Sequence, residues 1–132
     1  MVIRSVNSLL LDTQIILWIL ADDPKLNSSI RHLIMESDDV YVSAASTLEI
    51  TIKSMLGKLV LPANFDVHLA ASGLKTLDIT PEHTTGLRKF PELRRHDPFD
   101  RLLLAQADHE NLQFVTTDSI LIQNKYSFVT AA

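Results

Sequence analysis

Short apolar segments of strand composition alternate with helical segments along this chain, and that alternation restricts the fold more than any other feature. "SLLLDT" (8–13) reads as a buried strand ending at Asp12, and "QIILWILADD" continues it as an apolar helix stopped by Pro24. "LNSSIRHLIMESDD" carries apolar residues at 26, 30, 33 and 34 behind a cap at Asn27 or Ser28, so it reads as a helix. "VYVSA" (40–44) is a second strand, and "ASTLEITIKSMLGKL" is a helix closed by Gly57. "FDVHLAASG" is a short helix before a third strand candidate, "LKTLDIT"; Pro81 opens a helix over 81–89. "DPFDRLLLAQADHENL" is the clearest helix, followed by the strand "QFVTTD" and a last strand candidate, "SFVTA". Such alternation predicts an α/β domain with a mainly parallel sheet, whose sites form beyond the carboxyl ends of the strands.

With three glycines and five prolines, the chain is expected to have long elements and short connections. All of it (1–132) reads as a single domain, with residues 1–6 as a loose N-terminal leader. At 46% hydrophobic and 21% charged, the composition is that of a soluble globular domain. There is no cysteine, which excludes a disulfide framework and a thiolate metal site and suits a cytoplasmic location. The longest apolar run, Ile15 to Ala21, is too short to span a bilayer, and Asp12 would interrupt a signal-peptide core. Neither a targeting segment nor membrane association is expected.

Four acids fall where a parallel sheet gathers its ligands. Asp12 ends the first strand and Asp118 ends "FVTTD"; Glu49 lies one turn into the helix after the second strand, and Asp100 in the first turn of the helix at 98–110. Two carboxylates about 4 Å apart repel by about 4 kcal/mol at an effective dielectric of ~20. A cluster of them must take up protons or bind cations, and oxygen ligands favour Mg²⁺ or Mn²⁺. Each acid also has a local explanation. Asp12 and Asp118 are plausible helix caps, and Glu49 is spaced to pair with Lys53. Asp97 as N-cap, Pro98 at N1 and Asp100 at N3 make a good helix start with no chemistry. The signal lies in the set and its strand-end placement.

The segments "LLLDTQIILWIL", "VSAASTLEITIKSMLGKL", "HDPFDRLLLAQA" and "FVTTD" resemble those of PIN domains, and more narrowly of VapC toxins from type II toxin–antitoxin systems. The third is the most specific, being similar to the DPFDRLL box of one VapC subgroup. The resemblance implies a three-layer α/β/α sandwich. It places the family's metal-binding, catalytic acids on Asp12, Glu49, Asp100 and Asp118, with Asp97 as an extra acid of the box and Thr116 as a supporting hydroxyl. The implied activity is Mg²⁺- or Mn²⁺-dependent endonucleolytic cleavage of RNA by an activated water, leaving a 5′-phosphate and a 3′-hydroxyl. The implied partners are an RNA substrate, a VapB-type antitoxin whose C-terminal segment covers the acidic cleft, and a second copy in a homodimer. Gln14 and Leu48 depart from the subgroup pattern, which often has a histidine and an aromatic there; neither change removes an acid.

Formal net charge is −4, from 16 acids and 12 bases, which argues against a purely electrostatic nucleic-acid binder. Setting aside the four proposed ligands leaves 12 acids against 12 bases, so the remainder is balanced. Arg88, Lys89, Arg94, Arg95 and Arg101 cluster around the box and are the first candidates for phosphate contacts, with Lys53 and Lys58 behind them. The five histidines show no HxxxH or HxH spacing; His96 borders the box and reads first as a loop residue. Trp18 reads as core or interface. Other classes fit less well. An aspartyl-phosphate enzyme needs an aspartate where Gln14 stands, and no phosphate-binding glycine loop or GxSxG elbow occurs. An inactive PIN-like interaction module is the non-enzyme alternative.

Overall fold

The computed structural model describes residues 8–132; the leader expected at 1–6 lies outside them. The strands are β1 (Ser8–Leu11), β2 (Asp39–Ser43), β3 (Lys75–Leu77), β4 (Gln113–Thr116) and β5 (Val129–Ala131). They form one wholly parallel sheet in the order β3-β2-β1-β4-β5. The helices are α1 (Thr13–Ala21), α2 (Ser28–Glu36), α3 (Ala44–Met55), α4 (Phe65–Ala71), α5 (Pro81–Thr85), α6 (Pro98–Glu110) and α7 (Ser119–Gln123).

Side chains alternate across the pleat, so a strand buried on both faces serves two cores. In β1, Leu10 packs with Leu103, Leu104 and Phe114 on one face, while Leu9 and Leu11 pack with Ile15, Ile16 and Ile50 on the other. All three leucines are fully buried. The result is the α/β/α sandwich. Trp18 packs at the margin of the second core.

Three details differ from the sequence reading. The helix after β1 stops at Ala21, before Pro24, because Asp22 turns into the left-handed region (φ 49°) and returns its N–H to Ile19 and Trp18. The helix opened by Pro81 ends at Thr85 and gives way to two short 3₁₀ turns, Gly86–Lys89 and Pro91–Leu93. A short helix absent from the sequence reading, α7, follows β4; five residues are too few to show a helical period.

The chain leaves β1 toward β2 and β3 on one side, then crosses back to β4 and β5 on the other. The order therefore reverses between β1 and β4, and the carboxyl ends of those two strands border the crevice where such sheets bind ligands. The pairing continues past the strand end, as the Asp12 amide donates to the Val115 carbonyl at 3.0 Å. Among the described residues, no helix is long and apolar enough to cross a membrane.

Candidate functional site

Asp12, Glu49, Asp100 and Asp118 all line one cleft of about 350 Å³ at the β1–β4 crevice. Each acid is held by the start of a helix or by a turn of one. Asp12 is the N-cap of α1, with Oδ1 accepting from the Ile15 amide at 3.0 Å. Its Oδ2 accepts from the Thr116 hydroxyl (2.7 Å) and the Thr117 amide (2.8 Å). Asp118 is the N-cap of α7, accepting from Leu121 at 2.9 Å, while its own amide donates to Thr116 Oγ1 at 3.0 Å. Thr116, fully buried, thus ties the Asp12 carboxylate to the backbone of Asp118. Asp100 lies in the first turn of α6, whose N-cap is Asp97. Helix N-termini carry partial positive charge, which lowers the cost of concentrating acids here.

Repulsion is nevertheless visible in the proton affinities. Burial, then hydrogen bonding to and charge from Asp118, pushes the Asp100 carboxyl from an ordinary 3.8 up to about 8. Burial acts in the same upward sense on Asp118. There the Leu121 amide, Asp100 and His96 outweigh it and hold the carboxyl below its ordinary value. The two acids therefore share a proton near neutral pH. Burial also raises Asp12, against the opposing hydrogen bonds from Thr116, Ile15 and Thr117.

Glu49 satisfies its local and its site reading at once. Its Oε2 accepts from Lys53 Nζ at 2.8 Å, the i,i+4 pair visible in the sequence, and Oε1 accepts from the Thr13 hydroxyl at 2.6 Å. That bond with Glu49 comes first among the causes that raise the Lys53 pKa. Glu49 itself is buried and faces the cleft.

The remaining candidates divide. Asp97 caps α6 through Oδ1, accepting from Phe99 (2.8 Å) and Asp100 (3.3 Å), and is not among the residues lining the cleft. None of Arg88, Lys89, Arg94, Arg95 or Arg101 lines it either. Lys89 lies 3.5 Å from Asp108, and Arg101 donates to the Arg94 carbonyl at 3.1 Å. Among the described residues, the cations on the cleft wall are Lys53 and Lys58, the weaker candidates by sequence. His96 is the residue sequence reasoning undervalued. Its Nε2 lies 3.0 Å from Asp118 Oδ2 and 3.6 Å from Asp100 Oδ2. Thr13 and Thr117 were also passed over, although each adjoins a residue already singled out.

Donor atoms of His96, Asp100 and Asp118 all lie within 4.8 Å of one another. Asp12 and Glu49 line the cleft with Asp100 and Asp118 but stand outside that tight group, while His96 meets the two acids from beyond the cleft's lining. This donor set of carboxylate oxygens and one imidazole, with a proton trapped between two acids, fits a divalent cation. Asp12, Asp100 and Asp118 each keep lone pairs beyond the hydrogen bonds they accept.

The family model for the PIN domain matches residues 9–126. The chain belongs to the PIN-domain family. No curated protein sequence matches this PIN chain. Among solved structures, it resembles a chain of VapBC2 from Rickettsia felis bound to a promoter DNA fragment. Identity is 17%, over 94% of this chain and 96% of that one, with a TM-score of 0.67. A chain of a toxin–antitoxin complex from Klebsiella pneumoniae is 16% identical over 93% and 96%, with a TM-score of 0.66. A chain of DNA-bound VapBC from Salmonella typhimurium is 17% identical over 95% and 96%, with a TM-score of 0.64. At these identities the likeness is one of fold.

Proposed function

We propose that this PIN chain is a metal-dependent endoribonuclease and the toxin of a toxin–antitoxin pair. The observation that carries the reading is the convergence of Asp12, Glu49, Asp100 and Asp118 on one cleft at the strand-order reversal. The VapBC-like fold supports the toxin assignment and an antitoxin partner. Cytoplasmic residence and a homodimeric assembly belong to the same reading.

Asp12, Asp100 and Asp118 would hold Mg²⁺ or Mn²⁺, with Glu49 completing the acidic wall. A bound divalent ion supplies an activated water and neutralises charge developing on a phosphodiester. The chain's own residues do the rest. Thr116 and Thr117 fix the Asp12 carboxylate, so its oxygens need no reorganisation. Lys53 and Lys58 offer positive charge on the wall for the RNA backbone, which an acidic floor would otherwise repel.

The test is cleavage of total RNA by the purified chain with Mg²⁺ or Mn²⁺, with and without EDTA. Cleavage is expected to stop in EDTA and in Asp12→Asn, Asp100→Asn and Asp118→Asn. Activity that survives excess chelator overturns the mechanism. Activity unaffected by an admixed cognate antitoxin overturns the toxin role and leaves the nuclease standing.

A further inference from the structure

We propose that His96 is a nitrogen ligand to the divalent ion of this cleft, and that it tilts the site toward Mn²⁺ over Mg²⁺. The inference rests on the metal-dependent reading above. It goes further in naming a donor outside the four acids and a consequence for metal choice.

Geometry supports it first. Neighbouring donors around an ion with bonds of ~2.1 Å stand about 3.0 Å apart in an octahedron and about 3.4 Å apart in a tetrahedron. His96 Nε2 stands 3.0 Å from Asp118 Oδ2 and 3.6 Å from Asp100 Oδ2. The ring nitrogen thus stands at donor–donor spacings from both acids that a shared ion would require.

The loop also presents the imidazole rigidly. The His96 amide donates to the Leu93 carbonyl at 2.8 Å, and Leu93 is buried in the core. On the other side Asp97 caps α6, and Arg101 reaches back to the Arg94 carbonyl. These bonds fix the backbone on both sides of residue 96, so ligation by its ring costs little backbone entropy.

The tautomer is free to change. In the metal-free site Nε2 faces Asp118 Oδ2 at 3.0 Å, where a neutral ring donates its Nε2–H to that carboxylate oxygen. Among the described residues no N–H is directed at His96 Nδ1, so the proton can move there and release the Nε2 lone pair. The second histidine group, His83 with His109 and Glu110, lacks this freedom. His83 Nδ1 accepts from the Thr80 amide at 3.1 Å, which commits the proton to Nε2, facing Glu110 at 3.1 Å. Ligation there would break the cap of α5.

An imidazole nitrogen binds Mn²⁺ more strongly than it binds the harder Mg²⁺, which gives up its hydration water reluctantly, whereas carboxylates serve both. Metal-free protein titrated with Mn²⁺ and studied by pulsed EPR should therefore show ¹⁴N coupling to the bound ion. His96→Gln should abolish that coupling and weaken Mn²⁺ binding about tenfold, with Mg²⁺ binding changed much less. His96→Asn provides a second, smaller replacement should the first not fold. Mn²⁺ bound by the wild type without nitrogen coupling, or coupling retained in both variants, overturns the proposal while leaving the acidic site intact. Asp100→Asn and Asp118→Asn separate the two readings. If they bind Mn²⁺ as the wild type does, the cleft itself is not the metal site.

Discussion

Replacing Asp100 with Asn should stabilise the metal-free protein, and more so as the pH rises. The cause is the carboxyl buried beside Asp118, which holds its proton up to about pH 8 in the folded chain. In the unfolded chain an aspartate ionises near 4. Between those values the folded state binds more protons than the unfolded state, so stability falls as pH increases. The lowered value of Asp118 acts only below about pH 4 and leaves this window untouched. For a fully buried group the whole window amounts to about 5 to 6 kcal/mol. The Asp100 side chain keeps 24% of its exposure. Solvent screening and proton sharing bring the difference to roughly 2 kcal/mol. For a domain of this size that equals roughly 6 to 10 °C in Tm. Thermal unfolding in EDTA at pH 5 and pH 8 measures it: the advantage of Asp100→Asn over wild type should widen by that amount. With millimolar Mn²⁺ the order should reverse, because only the intact site gains from ligand binding. A Tm difference independent of pH would show that the acids are not crowded as described.

Three further perturbations separate the site from its scaffold. Thr116→Val takes from buried Asp12 Oδ2 its short hydroxyl bond (2.7 Å), leaving the Thr117 amide and the more distant Thr117 hydroxyl (3.4 Å). A stability loss of about 1 to 3 kcal/mol by urea unfolding, with RNA cleavage down tenfold or more, is expected, and Thr116→Ser should restore both. Lys53→Ala removes the cleft cation paired with Glu49; KM for RNA should rise several-fold with a shallower salt dependence, while Mn²⁺ binding persists in calorimetry. Gln106→Leu strips the buried link between Ser43 Oγ (2.5 Å), the Asp78 carbonyl (3.3 Å) and His83. The expected cost is about 2 to 3 kcal/mol in chemical denaturation, with unchanged kcat per folded molecule.

Much of the site was legible before any coordinates. An apolar run that stops at an acid marks a strand end by itself, so Asp12 and Asp118 could be placed on one edge of a parallel sheet. The sequence Asp97-Pro98-Phe99-Asp100 carries a helix start in its local chemistry, and Asp97 is indeed the cap of α6. The Glu49–Lys53 pair follows from helical spacing. These features are settled by bonds spanning a few residues, and residue order alone encodes such bonds.

What chain order left open was the meeting of segments far apart. His96 touches Asp118 across 22 residues, and Thr116 reaches Asp12 across 104. Nothing near His96 distinguishes it from any loop histidine; the two 3₁₀ turns before it and the buried Leu93 aim it. The basic residues around the box look like the phosphate grip in sequence, yet none of them lines the cleft, whereas α3 supplies Lys53 to its wall. Periodicity and capping chemistry determine where strands and helices begin and end. Which side chains share a dielectric, a proton or an ion depends on sheet order and packing, because those energies depend on distance through space and not along the chain.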